Sequence, residues 1–324
     1  MRFLIGAYAM SPAGAQWDEA LEGRYIDGLK ALPFMGGIEV PFFSALHRWD
    51  EDFFFRNADP GWDYVANPIP SVMGTLPKNP KFGLASTDED GRRAALAAME
   101  KVNAAVRRVN DRLGRRAFRA VELQSAPTGG RLNGGASPAA FTRSLVELGD
   151  WQWDGAELSV EHCDSAQHGV APQKGFLTIE EEIAAITAAN RSLAKPIGGS
   201  INWGRSVIDG RSVDTVARHT ALLLAAGLMR GIILSGASGA DTPYGAWADT
   251  HMPHGPEPYV DAGEPGALMT EREIAAFFAQ TRGTNLTFVG IKIAIRPESA
   301  PLQRRLDMLR AAMLVTASAF LSAR

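Results

Sequence analysis

The sequence predicts an α/β chain folded as one (β/α)8 TIM barrel, on three observations. Short apolar runs that end in a polar or acidic residue recur along the chain, each with the length and bounding turns of a strand buried on both faces. Between them lie longer stretches in which apolar residues return on one helical face. This alternation repeats roughly eight times over 324 residues, the count and length of a closed parallel barrel. Such a barrel carries its working groups at the carboxyl ends of its strands. The whole of 1–324 is therefore read as one domain, with an active face built from the loops after the strands.

Taken in order, strands are expected over 3–8, 37–42, 62–68, 118–124, 158–164, 197–203, 231–236 and 286–295. The intervening helices are expected over 17–30, 45–56, 88–113, 138–148, 179–192, 214–228, 270–280 and 301–322. Local punctuation supports these limits. Ser137-Pro138 offers an N-cap and a proline at the first helical position, and Ala300-Pro301 a weaker version. Thr178 with Glu181, and Thr270 with Glu273, have capping-box spacing. Gly114 and Gly149 fall where helices should stop. In the third strand Pro68 and Pro70 permit only a short ladder, so the strand is placed at 64–67 and 69–87 is read as a long loop on the active face.

Composition narrows the function classes. A net charge of −3 with interspersed signs gives no support for nucleic-acid binding. A lone Cys163 excludes an intrachain disulfide framework and suits a reducing compartment. No segment reaches ~18 uninterrupted apolar residues and the first residues lack a signal-peptide pattern, so no membrane partner is expected and the cytoplasm is the default location. Nothing calls for a nucleotide cofactor. The 301–322 helix carries an apolar face that packing on the barrel, or a homo-oligomer, would cover.

The two-residue period of a strand then places side chains. Val121 and Leu123 share the helix-facing side, leaving Glu122 and Gln124 pointing inward. The same alternation sends Glu39, Glu161, Asn202 and Lys292 into the barrel. Buried glutamates need a cation, hydrogen-bond donors or a role in proton transfer. Glu122, Glu161 and Lys292 are the candidate catalytic groups. A structural ion pair between Lys292 and one glutamate is the plain alternative for any single member.

Other polar groups collect near strand ends. Glu161, His162 and Asp164 form the densest run of metal-type ligands, although alternation sends Glu161 and His162 to opposite sides unless the strand ends between them. After strand seven, Trp247, Asp249 and His251 lie in a proline-containing loop of the kind that covers substrates. These residues make Glu161, His162, Asp164, Asp249 and His251 candidate ligands for a divalent metal such as Mn, Mg or Zn. Asn202, Trp203 and Arg205 combine an amide, an aromatic face and a cation, which suits a sugar or sugar acid. Tyr8, Glu39, His47, Gln124 and Trp247 complete the expected substrate-binding mouth, with a small carbohydrate as partner.

The segments Ile5-Gly6-Ala7-Tyr8, Gly37-Ile38-Glu39-Val40-Pro41-Phe42, Val121-Glu122-Leu123-Gln124-Ser125-Ala126-Pro127, Glu161-His162-Cys163-Asp164 and Ile201-Asn202-Trp203-Gly204-Arg205-Ser206 resemble a bacterial family of unknown function, DUF4862, over nearly the full chain. More distantly the arrangement resembles the xylose-isomerase-like barrels. That resemblance implies sugar isomerase or epimerase chemistry at a divalent metal held by two Glu, an Asp and a His, with Glu122 or Glu161 matching the first glutamate. This chain departs from the pattern in carrying Lys292 on strand eight and Asn202 on strand six.

The leading expectation is an isomerase or epimerase of a sugar or sugar derivative that uses Glu122 and Glu161 as paired carboxylates, with Lys292 or a metal stabilising an enediolate. On that reading Glu161→Gln should abolish turnover at nearly unchanged melting temperature. Two alternatives are a metal-free glycoside hydrolase or lyase, distinguished by carboxyl separation, and a non-catalytic carbohydrate sensor.

Overall fold

Eight parallel strands pair in sequence order and close: β1 (Phe3–Ile5), β2 (Met35–Pro41), β3 (Asp63–Asn67), β4 (Phe118–Leu123), β5 (Glu157–His162), β6 (Gly198–Asn202), β7 (Met229–Leu234) and β8 (Phe288–Ile291), with β8 returning to β1. The computed structural model describes residues 1–14 and 16–324. Around the barrel run α1 (Glu19–Lys30), α2 (Glu51–Asn57), α3 (Ile69–Thr75), α4 (Glu89–Leu113), α5 (Gly130–Asn133), α6 (Pro138–Gly149), α7 (Ile179–Asn190), α8 (Trp203–Gly210), α9 (Asp214–Ala225), α10 (Glu271–Gln280) and α11 (Leu302–Ser322). No helix among the described residues is long and apolar enough to cross a membrane.

The helix limits follow from their caps. Ser137 accepts from the Ala140 amide, and Thr178 and Glu181 form a reciprocal capping box at the start of α7. Gly114 ends α4 at φ 63°, a left-handed turn that glycine adopts without a Cβ clash.

Three local expectations are corrected. The 69–87 segment is not all loop, because α3 occupies its first turns. The strand expected to reach Trp203 stops at Asn202, whose side chain accepts from the Arg205 amide at 3.3 Å and so starts α8. An amide oxygen at that position favours a helix N-cap over a further ladder residue. Strands one and eight are also shorter than predicted, so Tyr8 sits in a 3-10 turn (Ala7–Met10) and Lys292 lies just past β8.

The strands separate two apolar layers. Outward residues such as Ile38, Val40, Val121, Leu123, Ile201 and Ile232 pack beneath the helices in the main core. Inside, Leu4, Val65, Ala120, Ile233 and Phe288 fill the lower barrel as a separate cluster. Gly231 makes room for that plug, since a Cβ there would lie 2.6 Å from the Phe288 ring. The apolar filling ends at the level of Glu39, Glu122 and Glu161. Above it the interior is polar and charged.

Candidate active site

The inward positions at the carboxyl ends of the strands bring Glu39, Asn67, Glu122, Gln124, Glu161, Ser200, Asn202 and Lys292 together, each no more than 2% exposed. One carboxylate oxygen from each of Glu39, Glu122 and Glu161 lies within 4.8 Å of the other two. Lys292 Nζ donates to Glu39 Oε1 at 2.7 Å, and Asn67 Nδ2 donates to the same oxygen at 2.5 Å. Asn67 also reaches Glu161 Oε2 at 3.3 Å, as does Gln124 Nε2. Asn202 Nδ2 donates to Glu161 Oε1 at 3.0 Å. Asn67 was not among the predicted site residues, although it stands two positions beyond the inward Val65 and the same alternation reaches it.

Arg205 is anchored at the start of α8 and joins the cluster to its cover. Its guanidinium contacts Glu161 Oε2 at 2.7 Å and Asp249 Oδ2 at 3.0 Å, and Lys174 Nζ contacts the same Asp249 oxygen at 2.8 Å. His251 Nδ1 meets Ser235 Oγ at 2.9 Å, and its ring lies edge-on to Tyr8 with centroids 6.5 Å apart. Trp247 and His251 both adopt positive φ, 52° and 58°, so this cover is held in a backbone conformation that non-glycine residues seldom adopt. The loop after β7 thus closes over the barrel mouth.

The remaining predicted residues are placed as follows. Tyr8, Glu39 and His47 line one largely apolar cavity of about 140 Å³, together with the outward-facing Ile38 and Val40 and with Phe53 and Phe54 of α2, and Lys292 Nζ lies 5.1 Å from the Tyr8 ring centre. His47 is held by the amides of Trp49 and Asp50 and packs against Trp17 and Phe53. Trp203 is buried in the helix-facing core rather than at the mouth. Trp247 is half-buried beneath the Arg211 guanidinium. Asp164 accepts from the amides of Gln173, Lys174 and Gly175 and so pins the loop after β5. His162 faces outward, where its Nδ1 lies 2.7 Å from Glu182 Oε2 on α7. The five residues singled out as metal ligands therefore do not form one set: Glu161 faces the barrel, His162 the helices, and Asp164 a loop backbone. Alternation on β5 is the reason.

Charges at the mouth are unequal in their pairing. Glu39 faces Lys292, Glu161 faces Arg205, and Asp249 faces Arg205 and Lys174. Among the described residues no cation lies within ion-pair distance of Glu122, whose Oε1 accepts from Ser200 Oγ at 3.5 Å. Burial, reinforced by the charges of Glu161 and Glu39, holds its carboxyl well above the usual range. Burial alone would raise Glu161 too, but Arg205 and Lys292 outweigh it and hold that group below its ordinary value. Burial also drives His251 down to about 3, so the imidazole in the cover is neutral. Two carboxyl oxygens, Glu39 Oε2 and Glu122 Oε2, have no hydrogen-bond partner.

A divalent ion among the three glutamates would need free oxygens. Glu39 Oε1 is occupied by Lys292 and Asn67, and both oxygens of Glu161 by Arg205 and amides. Glu122 Oε1 accepts from Ser200 Oγ at 3.5 Å, which leaves Glu39 Oε2 and Glu122 Oε2, the latter on a carboxyl whose pKa burial raises. An ammonium and a guanidinium already touch the cluster. Each would oppose an ion by about 4 kcal/mol per unit of its charge at ~4 Å and an effective dielectric near ~20. These residues do not fit a divalent metal.

Over residues 4–308 the sequence matches the model of a family described as a domain of unknown function, DUF4862. The chain belongs to the DUF4862 family. A relative from Salmonella typhimurium (strain LT2), the uncharacterized protein STM3670, is 32% identical over 308 residues, covering 95% of this chain and 94% of that one. Among solved structures, this DUF4862 chain is similar to an L-ribulose 3-epimerase, with a TM-score of 0.59, 13% identity and coverage of 100% of this chain and 95% of that chain. It is also similar to a sugar phosphate isomerase/epimerase from Parabacteroides distasonis, with a TM-score of 0.52, 8% identity and coverage of 98% and 97%. A xylose isomerase domain protein from Alicyclobacillus acidocaldarius gives a TM-score of 0.51 at 13% identity, covering 92% and 94%. At these identities the likeness is one of fold: a TIM barrel shared by proteins of these descriptions.

Proposed function

We propose that this protein isomerises or epimerises a sugar or sugar derivative by moving a proton beside a carbonyl, with Glu39 and Glu122 as the proton-carrying pair. The reading rests on one observation: the two carboxyl oxygens of the cluster left without partners among the described residues belong to Glu39 and Glu122, and of the three clustered glutamates Glu122 is the one that no cation faces. Glu39 Oε2 would accept the proton from carbon while the carbonyl oxygen gains charge. Lys292 and the Glu122 O–H would stabilise that enediolate, and Glu122 would return its proton to carbon. Glu161, fully engaged by Arg205 and three amides, is a poor base and serves better as a fixed anion that aligns Asn67, Gln124 and Asn202. The similarity in fold to sugar isomerases and epimerases supports this substrate class.

The test is solvent-deuterium incorporation across a panel of aldoses, ketoses and their phosphates. Exchange should occur with at least one, be abolished in Glu39→Gln and Glu122→Gln, and persist after chelation. Saturable binding without exchange would instead mark a carbohydrate sensor. One further reading has a specific observation behind it: carboxyl oxygens within 4.8 Å approach the ~5 Å separation of a retaining glycosidase. Release of an aglycone with retained configuration, and no deuterium at carbon, would establish that reaction.

A further inference from the structure

Behind β5 and β6, on the helix-facing side of the barrel wall, a second group of titratable side chains is buried away from the three glutamates. His162 at the end of β5, Asp209 on α8 and His219 on α9 each direct one ligand atom to a common point, all within 4.8 Å of one another. His162 Nε2 and His219 Nε2 lie 3.9 and 3.7 Å from the same oxygen, Asp209 Oδ2. Those separations are too long for hydrogen bonds. They are a few tenths of an ångström above the ~3.3–3.6 Å between ligand atoms around a zinc ion at ~2.0–2.2 Å.

The other ring nitrogens are already held. His162 Nδ1 lies 2.7 Å from Glu182 Oε2, which in turn accepts a hydrogen bond from Ser125 through its other oxygen, and His219 Nδ1 lies 3.1 Å from Ser206 Oγ. An acceptor at Nδ1 fixes the tautomer with its proton there and leaves the Nε2 lone pair facing inward, the arrangement that carboxylate partners impose on metal-bound histidines. The second oxygen of Asp209 is anchored by the amide and hydroxyl of Ser165, so the carboxylate cannot rotate away. His162 Nε2 itself is buried and has no hydrogen-bond partner. A buried nitrogen aimed at a carboxylate oxygen, yet too far to bond it, asks for something between them.

We propose that His162, Asp209 and His219 form a zinc-type metal site on the outside of the barrel wall, separate from the carboxyl cluster at the mouth. The donor set of two imidazoles and one carboxylate suits a four-coordinate divalent ion with one position left to solvent. Arg218 stands at the entrance: its guanidinium lies 3.0 Å from His219 Nε2 and also pairs with Glu180, with its side chain 52% exposed. Half in solvent, it can swing outward as an ion enters, so it competes with the metal rather than completing the site. The site would tie β5, α8 and α9 together behind Arg205, which shares α8 with Asp209.

Zinc binding to the chelator-stripped full chain, measured by competition with a chromophoric chelator, tests the proposal. One equivalent should bind, be lost in Asp209→Asn and His219→Ala, weaken 10–100-fold in Glu182→Gln, and remain in Glu122→Gln. Arg218→Ala should bind zinc at least as tightly as the parent. Should the ligand variants fail to fold, cobalt substitution of the parent decides the matter: visible bands of a four-coordinate ion, with X-ray absorption showing two imidazoles, are expected. No saturable zinc or cobalt binding in either the parent or Arg218→Ala would overturn the site and leave an imidazolium held between Glu182 and Asp209. Zinc retained undiminished in folded Asp209→Asn and His219→Ala would overturn it equally.

Discussion

Replacing Glu122 by glutamine should stabilise the protein while removing its activity. Burial and the neighbouring Glu161 and Glu39 charges hold the Glu122 carboxyl of the native state well above its usual range, whereas the unfolded chain releases that proton above ~4.3. Between those two pKa values the native state binds the extra proton, so this group's contribution is full below the unfolded value and declines as pH rises. Each pH unit within that window costs the native state about 1.4 kcal/mol. Glutamine presents an N–H where the acid presents O–H and has no proton to lose. The stability difference between Glu122→Gln and the parent should therefore widen as pH rises above the unfolded value, by at most about 1.4 kcal/mol per pH unit. Urea denaturation of both proteins at pH 5, 6 and 7 measures it directly. A difference that stays flat across that range would mean that Glu122 is ionised in the folded state, and the proton-donor role would fall with it.

Glu161→Gln should behave in the opposite way. It removes one of the two carboxylates that face the buried Arg205 and leaves Asp249 as the other, so the cost is at most the about 3–5 kcal/mol of breaking a buried pair, and calorimetry should show a lowered melting temperature rather than the nearly unchanged one expected from sequence. Gly6→Ala tests how tightly the mouth is built: the new Cβ would stand 2.6 Å from Lys292 Cγ and 2.8 Å from Glu39 Oε2. Because φ at Gly6 is −72°, the cost is overpacking of about 1–3 kcal/mol without backbone strain, and turnover of whatever substrate the exchange panel identifies should fall more than stability does. Gly37→Ala should be harsher, since φ is 150° and the Cβ would fall 1.7 Å from the Asp63 carbonyl oxygen across the β2–β3 ladder. A loss of roughly 3 kcal/mol or more, or failure to accumulate folded protein, is expected; a normal denaturation midpoint would contradict the tight approach of these strands.

The alternation of apolar runs and helical stretches was legible because burial on both faces leaves a strand almost no polar residues, and that pattern survives without any knowledge of partners. The same two-residue period placed Glu39, Glu122, Gln124, Glu161, Asn202 and Lys292 inside one barrel, and it separated His162 from Glu161. It would have found Asn67 as well, had the short third strand not been weighed mainly by its prolines. Where the chain breaks was less legible. Trp203 looked like a strand end because it is large and apolar, but the Asn202 cap turned it into the first residue of a helix buried in the core.

The sequence by itself determined that this chain closes into a parallel barrel with acidic residues at its carboxyl end, since periodicity and side-chain type are local properties. Which acid faces a cation was decided only by the tertiary structure. Lys292 reaches Glu39 from the other side of the chain's closure, Arg205 reaches Glu161 from the start of a helix, and Glu122 is met by the Ser200 hydroxyl but by no cation among the described residues. Ionisation inside a protein depends on the distances between groups far apart in sequence and on the exclusion of water around them. Three similar glutamates thereby become two that face cations and one that faces none.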